Sequence, residues 1–203
     1  MIAIIDYDIG NLAAVENMLH RLGVACVITA RPEIIERADK IILPGNGAFD
    51  ACVTSLRASG LVSLLETRVL REKIPVLGIC VGAQMLGKGS DEGSEPGLGW
   101  LDMKVKRFPP IPGLRVPHMG WSHVTPRAPG HPLAQGVDEG TRYYFVHSYY
   151  MEPVDPENVM LTAHYGIDFA AAVSAGNIAG VQFHPEKSHR FGKQLLACFG
   201  KVF

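Results

Sequence analysis

Pro75-Val-Leu-Gly-Ile-Cys-Val-Gly-Ala-Gln-Met-Leu86 reads as a short buried strand, a sharp turn with Cys80 at its tip, and a helix starting behind it. Gly78 and Gly82 stand two positions either side of the cysteine. This is the Gly-x-nucleophile-x-Gly elbow, which holds a nucleophile on a strained strand-to-helix turn at the end of a parallel sheet. The glycines let strand and helix cross closely without Cβ clashes. A helix N-terminus behind the sulfur favours thiolate over thiol. In a chain with 22 glycines the pattern also arises by chance. A buried, inert thiol is the ordinary state of a free cysteine. The rest of the chain decides between the two, by whether it supplies a base, an orienter, an oxyanion hole and a pocket.

Upstream of the elbow, Ile2 to Ile5 is a continuous apolar run, the mark of a strand buried on both faces. Leu12, Val15, Leu19 and Leu22 recur at helical spacing, and Gly23 is placed to end that helix. Ala25 to Ile28 reads as a second strand, Pro32 to Arg37 as a short helix, and Lys40 to Leu43 as a third strand ending at Pro44. Asp50 to Lys73 is helical with a break at Gly60. This alternation predicts a parallel sheet built from right-handed βαβ units.

Downstream the texture changes. Lys88 to Gly97, rich in Gly, Ser and acidic residues, reads as a loop. Short strands follow at Lys104–Arg107, Trp121–Val124, Tyr143–Val146, Met160–Ala163, Ala170–Val173 and Ile178–Phe183, with a hairpin turn at Ala175-Gly-Asn177. His189 to Val202 is an amphipathic helix. No repeat or linker divides the chain, so one domain over residues 1–203 is expected: a parallel α/β core with a mixed or antiparallel C-terminal extension.

Composition narrows the function. The chain has 203 residues, 47% of them hydrophobic, enough for a substantial core. With 19 basic and 20 acidic residues and no basic stripe, nucleic acid and anionic membranes are poor candidate partners. No apolar run reaches transmembrane length, and Met1 leads into a core strand rather than a signal peptide. Four scattered cysteines, with no Cys-x-x-Cys pair, fit free thiols in a reducing cytoplasm and argue against zinc or a disulfide framework.

The base is supplied by Gly180-Val-Gln-Phe-His-Pro-Glu-Lys-Ser188. Pro185 biases His184 to an extended conformation, and in an extended run residues i and i+2 share a side. His184 and Glu186 are then expected to project together, the carboxylate fixing the imidazole's tautomer. Alone, His-Pro-Glu is also an ordinary surface turn; with the elbow, it completes a nucleophile, base and orienter. For the oxyanion hole, Val81 follows the nucleophile and supplies one amide. A second is available from Leu43-Pro-Gly-Asn-Gly-Ala-Phe49, whose glycines permit unusual backbone angles.

Other features carry less. Gly82 to Lys88 mimics a phosphate-binding loop, but Gly89 stands where Ser or Thr must bind magnesium. Gly97-Leu-Gly is too short for a dinucleotide fingerprint. The aromatics at Tyr143–Phe145 and Tyr149–Tyr150 fit a core as well as a ligand stack. The histidines show no metal-ligand spacing.

These stretches resemble the class I (triad) glutamine amidotransferases. Within them the chain is similar to the glutaminase subunits of imidazole glycerol phosphate synthases. The similarity is carried by Ile5-Asp-Tyr-Asp-Ile-Gly-Asn-Leu12, Leu43–Phe49, Leu77–Leu86, Gly97-Leu-Gly-Trp100, Val116-Pro-His-Met-Gly-Trp121, Tyr144-Phe-Val-His-Ser-Tyr-Tyr150 and Gln182–Ser188. It implies a flavodoxin-like class I glutamine amidotransferase fold, with Cys80 as nucleophile, His184 as base then acid, and Glu186 as orienter. It further implies an oxyanion hole of the Asn46 and Val81 amides. Gly45, Gly47, Gln84, His147, Ser148 and Tyr149 are implied as the glutamine site. Asn11, Trp121, Tyr144 and Lys187 are implied to face a cyclase subunit, a (β/α)8 barrel, in a heterodimer; no cofactor or metal is implied. The chain departs from the family's common residues at Asp8 (Gly), Ala14 (Ser), Asn46 (hydrophobic) and Ser122 (Asn), none of them in the triad. The rival readings are a cysteine hydrolase of similar fold, a glutaminase for another synthase such as one for surface-sugar amination, and a binding module that has lost its chemistry. The last would be expected to lack one of Cys80, His184 or Glu186, and all three are present.

Overall fold

A computed structural model describes residues 1–203. In its first half the chain runs β1 (Ile2–Ile5), α1 (Leu12–Arg21), β2 (Cys26–Thr29), α2 (Pro32–Ile35), β3 (Lys40–Gly45), α3 (Phe49–Ala58), α4 (Val62–Glu66), a π turn (Thr67–Arg71), β4 (Val76–Cys80) and α5 (Val81–Gln84). There follow β5 (Met103–Arg107), β6 (His118–Pro126), β7 (Arg142–His147), β8 (Tyr149–Pro153), β9 (Val159–Tyr165), β10 (Ile167–Ala175), β11 (Ile178–Val181) and α6 (His189–Lys201).

The sheet is ordered β2-β1-β3-β4-β11-β10-β9-β6-β7, with β8 pairing β10 and β5. The strands β2, β1, β3, β4 and β11 are mutually parallel, the 2-1-3-4-5 order of a flavodoxin-like sheet. All residues of β1, β4 and β11 are buried, as expected of parallel strands covered on both faces. The crossovers from β1 to β2 and from β3 to β4 run in opposite directions. Right-handed connection therefore puts their helices on opposite faces. Accordingly α1 packs on α6, and α3 on α5. Beyond β11 every pairing is antiparallel. One cluster of 52 buried residues, from Ile2 to Phe199, joins the two parts in a shared core.

The structure modifies several sequence expectations. β3 continues through Pro44 to Gly45, where it pairs with Cys80. β8 was not foreseen, and the helix behind Cys80 is only four residues long. Gly23 and Gly60 end their helices at φ +68° and +73°, as left-handed caps. Gly176 takes φ +58° in the expected hairpin turn between β10 and β11. Asp8, at a position the family commonly fills with glycine, has φ +66°, a region Asp visits more readily than most residues.

Candidate active site

Cys80 ends the central strand β4 at φ +55° and ψ −115°, outside the regions favoured by a residue with a Cβ. Close packing behind it holds the strain. A Cβ on Gly78 would lie 2.6 Å from Ala83 Cα, and one on Gly82 would lie 1.9 Å from the Leu43 carbonyl oxygen. Gly45 makes the same kind of approach, its would-be Cβ meeting the Gly82 nitrogen at 2.2 Å. A four-residue helix has little macrodipole, so the sulfur's electrostatic partner has to be sought elsewhere.

That partner is His184, which follows β11, the strand next to β4. Its Nδ1 meets Glu186 Oε1 at 2.8 Å, with the two side chains 5% and 2% exposed. The convergence was expected, but its route differs. His184 itself is extended, while Pro185–Lys187 is a 3₁₀ turn that folds the carboxylate back onto the ring. Burial pulls the imidazole's pKa down, but the neighbouring Cys80 and the hydrogen-bonded Glu186 outweigh it and raise it to about 9. His184 Nε2 is buried and has no hydrogen-bond partner within the protein. The turn is clamped by the backbone. His184 N–H donates to the Tyr144 carbonyl at 2.9 Å. Ser188 Oγ–H donates to the His184 carbonyl at 2.6 Å and accepts from Tyr144 N–H at 3.0 Å.

A cleft of about 240 Å³ opens on Cys80, lined also by Asn46, Gly47, Val81, Gln84, Glu92, Pro117, Val146, His147, Ser148 and Tyr149. This suits a ligand smaller than a drug-sized molecule. Of the expected pocket residues, Gly45 alone is absent from the wall; it is the spacer that lets β3 reach the elbow. Asn46 and Gly47 line this cleft with Cys80, and their N–H groups donate to no protein atom. Glu92 is the one acidic lining residue, held by Phe49 N–H at 2.9 Å. It sits in a stretch whose composition says only loop.

One wall is a buried polar network. Gln84 Nε2 donates to Gln182 Oε1 at 3.0 Å and to the Tyr149 carbonyl at 3.3 Å. Gln182 Nε2 reaches Cys80 Sγ at 3.9 Å. His147 Nδ1 bonds the same Tyr149 carbonyl at 2.7 Å, and its Nε2 meets His118 Nδ1 at 2.9 Å. His118 Nε2 meets Ser122 Oγ at 2.8 Å. Burial lowers the pKa of His147 to about 3 and of His118 to about 4, so both are neutral at physiological pH. A carbonyl only accepts, which fixes the tautomers: His147 carries its proton on Nδ1, His118 on Nδ1, and Ser122 donates. Sequence reading left Gln182 and Ser188 without roles, although both lie inside quoted motifs; it placed His118 in a motif shaping the interface, whereas the residue is 2% exposed and its ring is bonded within this network.

A second, narrow recess lies on the base side. Its lining includes Asn11, Gly45, Asn46, His184, Glu186 and Lys187. Asn46 therefore borders both spaces. Nearby on the surface, Trp121 is 41% and Met119 63% exposed. Trp121 stacks on His189 at 5.5 Å and meets the Tyr144 ring edge-on at 6.1 Å. No group of side chains suited to holding a metal ion is present, and no helix is long and apolar enough to cross a membrane.

The arrangement equips a thiol, a raised-pKa imidazole and free backbone donors for acyl transfer. Comparison with known proteins points the same way. The model of the class-I glutamine amidotransferase family matches residues 3–201. A Pseudomonas aeruginosa protein described as imidazole glycerol phosphate synthase subunit HisH 2 is 52% identical over 98% of each chain. A Bdellovibrio bacteriovorus protein described as imidazole glycerol phosphate synthase subunit HisH is 46% identical over 100% of each. Among solved structures, a glutamine amidotransferase superposes with TM-score 0.74 at 21% identity, covering 97% of this chain and 96% of that one. The structure of PurLQS from Thermotoga maritima superposes with TM-score 0.74 at 18% identity, covering 98% and 96%. At such identities the superpositions speak for the fold alone. From the full-length family match and these relatives, the chain belongs to the class I glutamine amidotransferase family.

Proposed function

We propose that this chain is the glutaminase subunit of an imidazole glycerol phosphate synthase. It hydrolyses glutamine to glutamate and ammonia. The ammonia passes to a (β/α)8-barrel cyclase subunit that makes imidazole glycerol phosphate and aminoimidazole carboxamide ribotide in histidine biosynthesis. The observation that carries the chemistry is the meeting of Cys80, His184 and Glu186 at the ends of adjacent strands β4 and β11, beside a cleft of amino-acid size.

The reaction follows from the parts. Cys80 thiolate attacks the carboxamide carbon of glutamine. The oxyanion accepts hydrogen bonds from the Asn46 and Val81 amides. His184, protonated on Nε2 and held by Glu186, gives that proton to the departing nitrogen. The C–N bond breaks, ammonia leaves, and a γ-glutamyl thioester remains on Cys80. His184 then takes a proton from water; the oxygen attacks the thioester, glutamate departs and the thiolate returns. Glu92 offers a carboxylate for the substrate's α-ammonium group. Gln84, Gly47, His147, Ser148 and Tyr149 orient the rest. His184 lines the recess shared with Asn11 and Lys187 and not the cleft, which supports release of ammonia towards the cyclase side.

The test separates the half-reactions. In complex with the cyclase, Cys80→Ala should lose glutamine-dependent product formation and keep formation from added ammonium. A Cys80→Ala complex that still used glutamine, or a wild-type complex that used ammonium but never glutamine, would contradict the proposal.

A further inference from the structure

The loop Pro44-Gly45-Asn46-Gly47 carries the proposed oxyanion amide, and an amide serves an oxyanion only when its N–H points at it. Two buried side chains outside the triad and the pocket control that loop. Tyr7, beyond the end of β1, donates its hydroxyl hydrogen to the Pro44 carbonyl. Cys52, on the first turn of α3, donates its thiol hydrogen to the Asn46 carbonyl at 3.4 Å. The two are tied together, because Ser55 of α3 donates to the Tyr7 carbonyl at 2.6 Å. Burial pushes the pKa of both Tyr7 and Cys52 up, so each stays protonated and remains a donor.

In a trans peptide plane the carbonyl and the N–H of the next residue point in opposite directions. Holding the Asn46 carbonyl towards α3 aims the unpartnered Gly47 N–H away from α3. Holding the Pro44 carbonyl fixes the plane that precedes Gly45. Between them, the Gly45–Asn46 plane has no side-chain anchor. A single plane turns through opposite changes in the ψ before it and the φ after it, with its neighbours in place. Gly45 lacks a Cβ, and Asn tolerates positive φ.

We propose that Tyr7 and Cys52 are positioning residues of the oxyanion hole. They hold the peptide planes on either side of the Asn46 amide, so that this amide alone turns to meet charge developing at Cys80. The proposal rests on the reading of Asn46 as an oxyanion donor.

The experiment uses the full chain with its cyclase and compares Cys52→Ala, Cys52→Ser and Tyr7→Phe. Two ligands are titrated: γ-glutamyl aldehyde, whose thiohemiacetal oxygen occupies the oxyanion site, and glutamate, which forms no such adduct. Cys52→Ala should lower kcat about tenfold, less than the ~10²–10³-fold of deleting an oxyanion donor, with the KM for glutamine nearly unchanged. It should weaken the aldehyde by the same factor and leave glutamate binding alone. Serine, which can donate to the same carbonyl, should restore most of both. The idea is overturned if Cys52→Ala and Tyr7→Phe keep wild-type kcat, if aldehyde and glutamate weaken alike, or if serine does no better than alanine. Should Cys52→Ala fail to fold, Tyr7→Phe, which removes one oxygen, decides. A wild-type complex that releases no glutamate would sink the glutaminase reading and this proposal with it. An active wild type with indifferent variants would sink this proposal alone.

Discussion

His184 has two opposing demands on it. Burial favours the neutral ring, while Cys80 and Glu186 favour the imidazolium and win, raising the pKa to about 9. The unfolded value is ≈ 6.5. Below that, folded and unfolded chains both bind the proton, and the group's full contribution to stability is present. As pH rises from about 6.5 towards 9 the unfolded chain gives up its proton first. Stability should fall across that window by an amount on the order of 3 kcal/mol. Glu186→Gln removes one of the two partners and should flatten the fall, measured as urea midpoints at pH 6.5 and 9. Parallel curves for the two proteins would refute this. At Asn46 the prediction concerns rate. A β-branched side chain resists positive φ, so Asn46→Val should lower basal glutamate release severalfold with little change in melting temperature. Unchanged basal activity would show that the amide needs no such freedom.

At the scale of elements, the elbow is a packing problem before it is a chemical one. Gly82 lies so close to β3 that an added Cβ would sit 1.9 Å from the Leu43 carbonyl oxygen. Backbone cannot yield as a side chain would. Gly82→Ala should therefore destabilise the protein by at least the ~1–3 kcal/mol typical of overpacking. Gly130→Ala, with open space around it and no left-handed φ, should be close to neutral. Comparable melting temperatures for the two variants would count against the crossing as the reason for that glycine. Much of this scale was legible in the chain: the apolar run of β1, the Gly-flanked β4, and the stripe of α6 each announce their own burial. The strand Tyr149–Pro153 did not announce itself. It is short, ends in proline, and owes its existence to β5 and β10 on either side. The elbow and the His184–Glu186 pair were legible because each is a pattern of residue types at local spacing. Their supports were not. Gln84 and Gln182 are 98 residues apart, and Tyr7 and Pro44 are 37 apart. Only the fold says which distant polar side chain meets which carbonyl. The 3₁₀ turn at Pro185 shows the limit even locally, since the same two residues converge by a geometry that alternation does not describe.

For the molecule as a whole, the question is what makes the reaction useful. Ammonia released into water at neutral pH is protonated and stops being a nucleophile, so a glutaminase working alone wastes its product. The geometry separates the two sides of the chemistry. The cleft proposed for glutamine is bounded by Gln84, Glu92 and His147–Tyr149, while His184 and Glu186 face a recess with Asn11 and Lys187. Beyond that recess stands the exposed pair Met119 and Trp121 on β6, with Tyr144 of β7 beside the tryptophan. Tyr144 is bonded through its backbone to His184 and Ser188. A partner seated on this surface would press on the strand that holds the base. Glutamate release should then be weak for this chain alone and rise at least tenfold when the cyclase and its nucleotide substrate are bound. Trp121→Ala, which removes a large aromatic anchor from that surface, should weaken the complex by about 2 kcal/mol or more, the usual size of a tryptophan hot spot. The rise should then appear only at correspondingly higher cyclase concentration. Equal turnover with and without the partner would rule out the coupling. An unaltered dissociation constant for Trp121→Ala would place the cyclase on another face of the molecule.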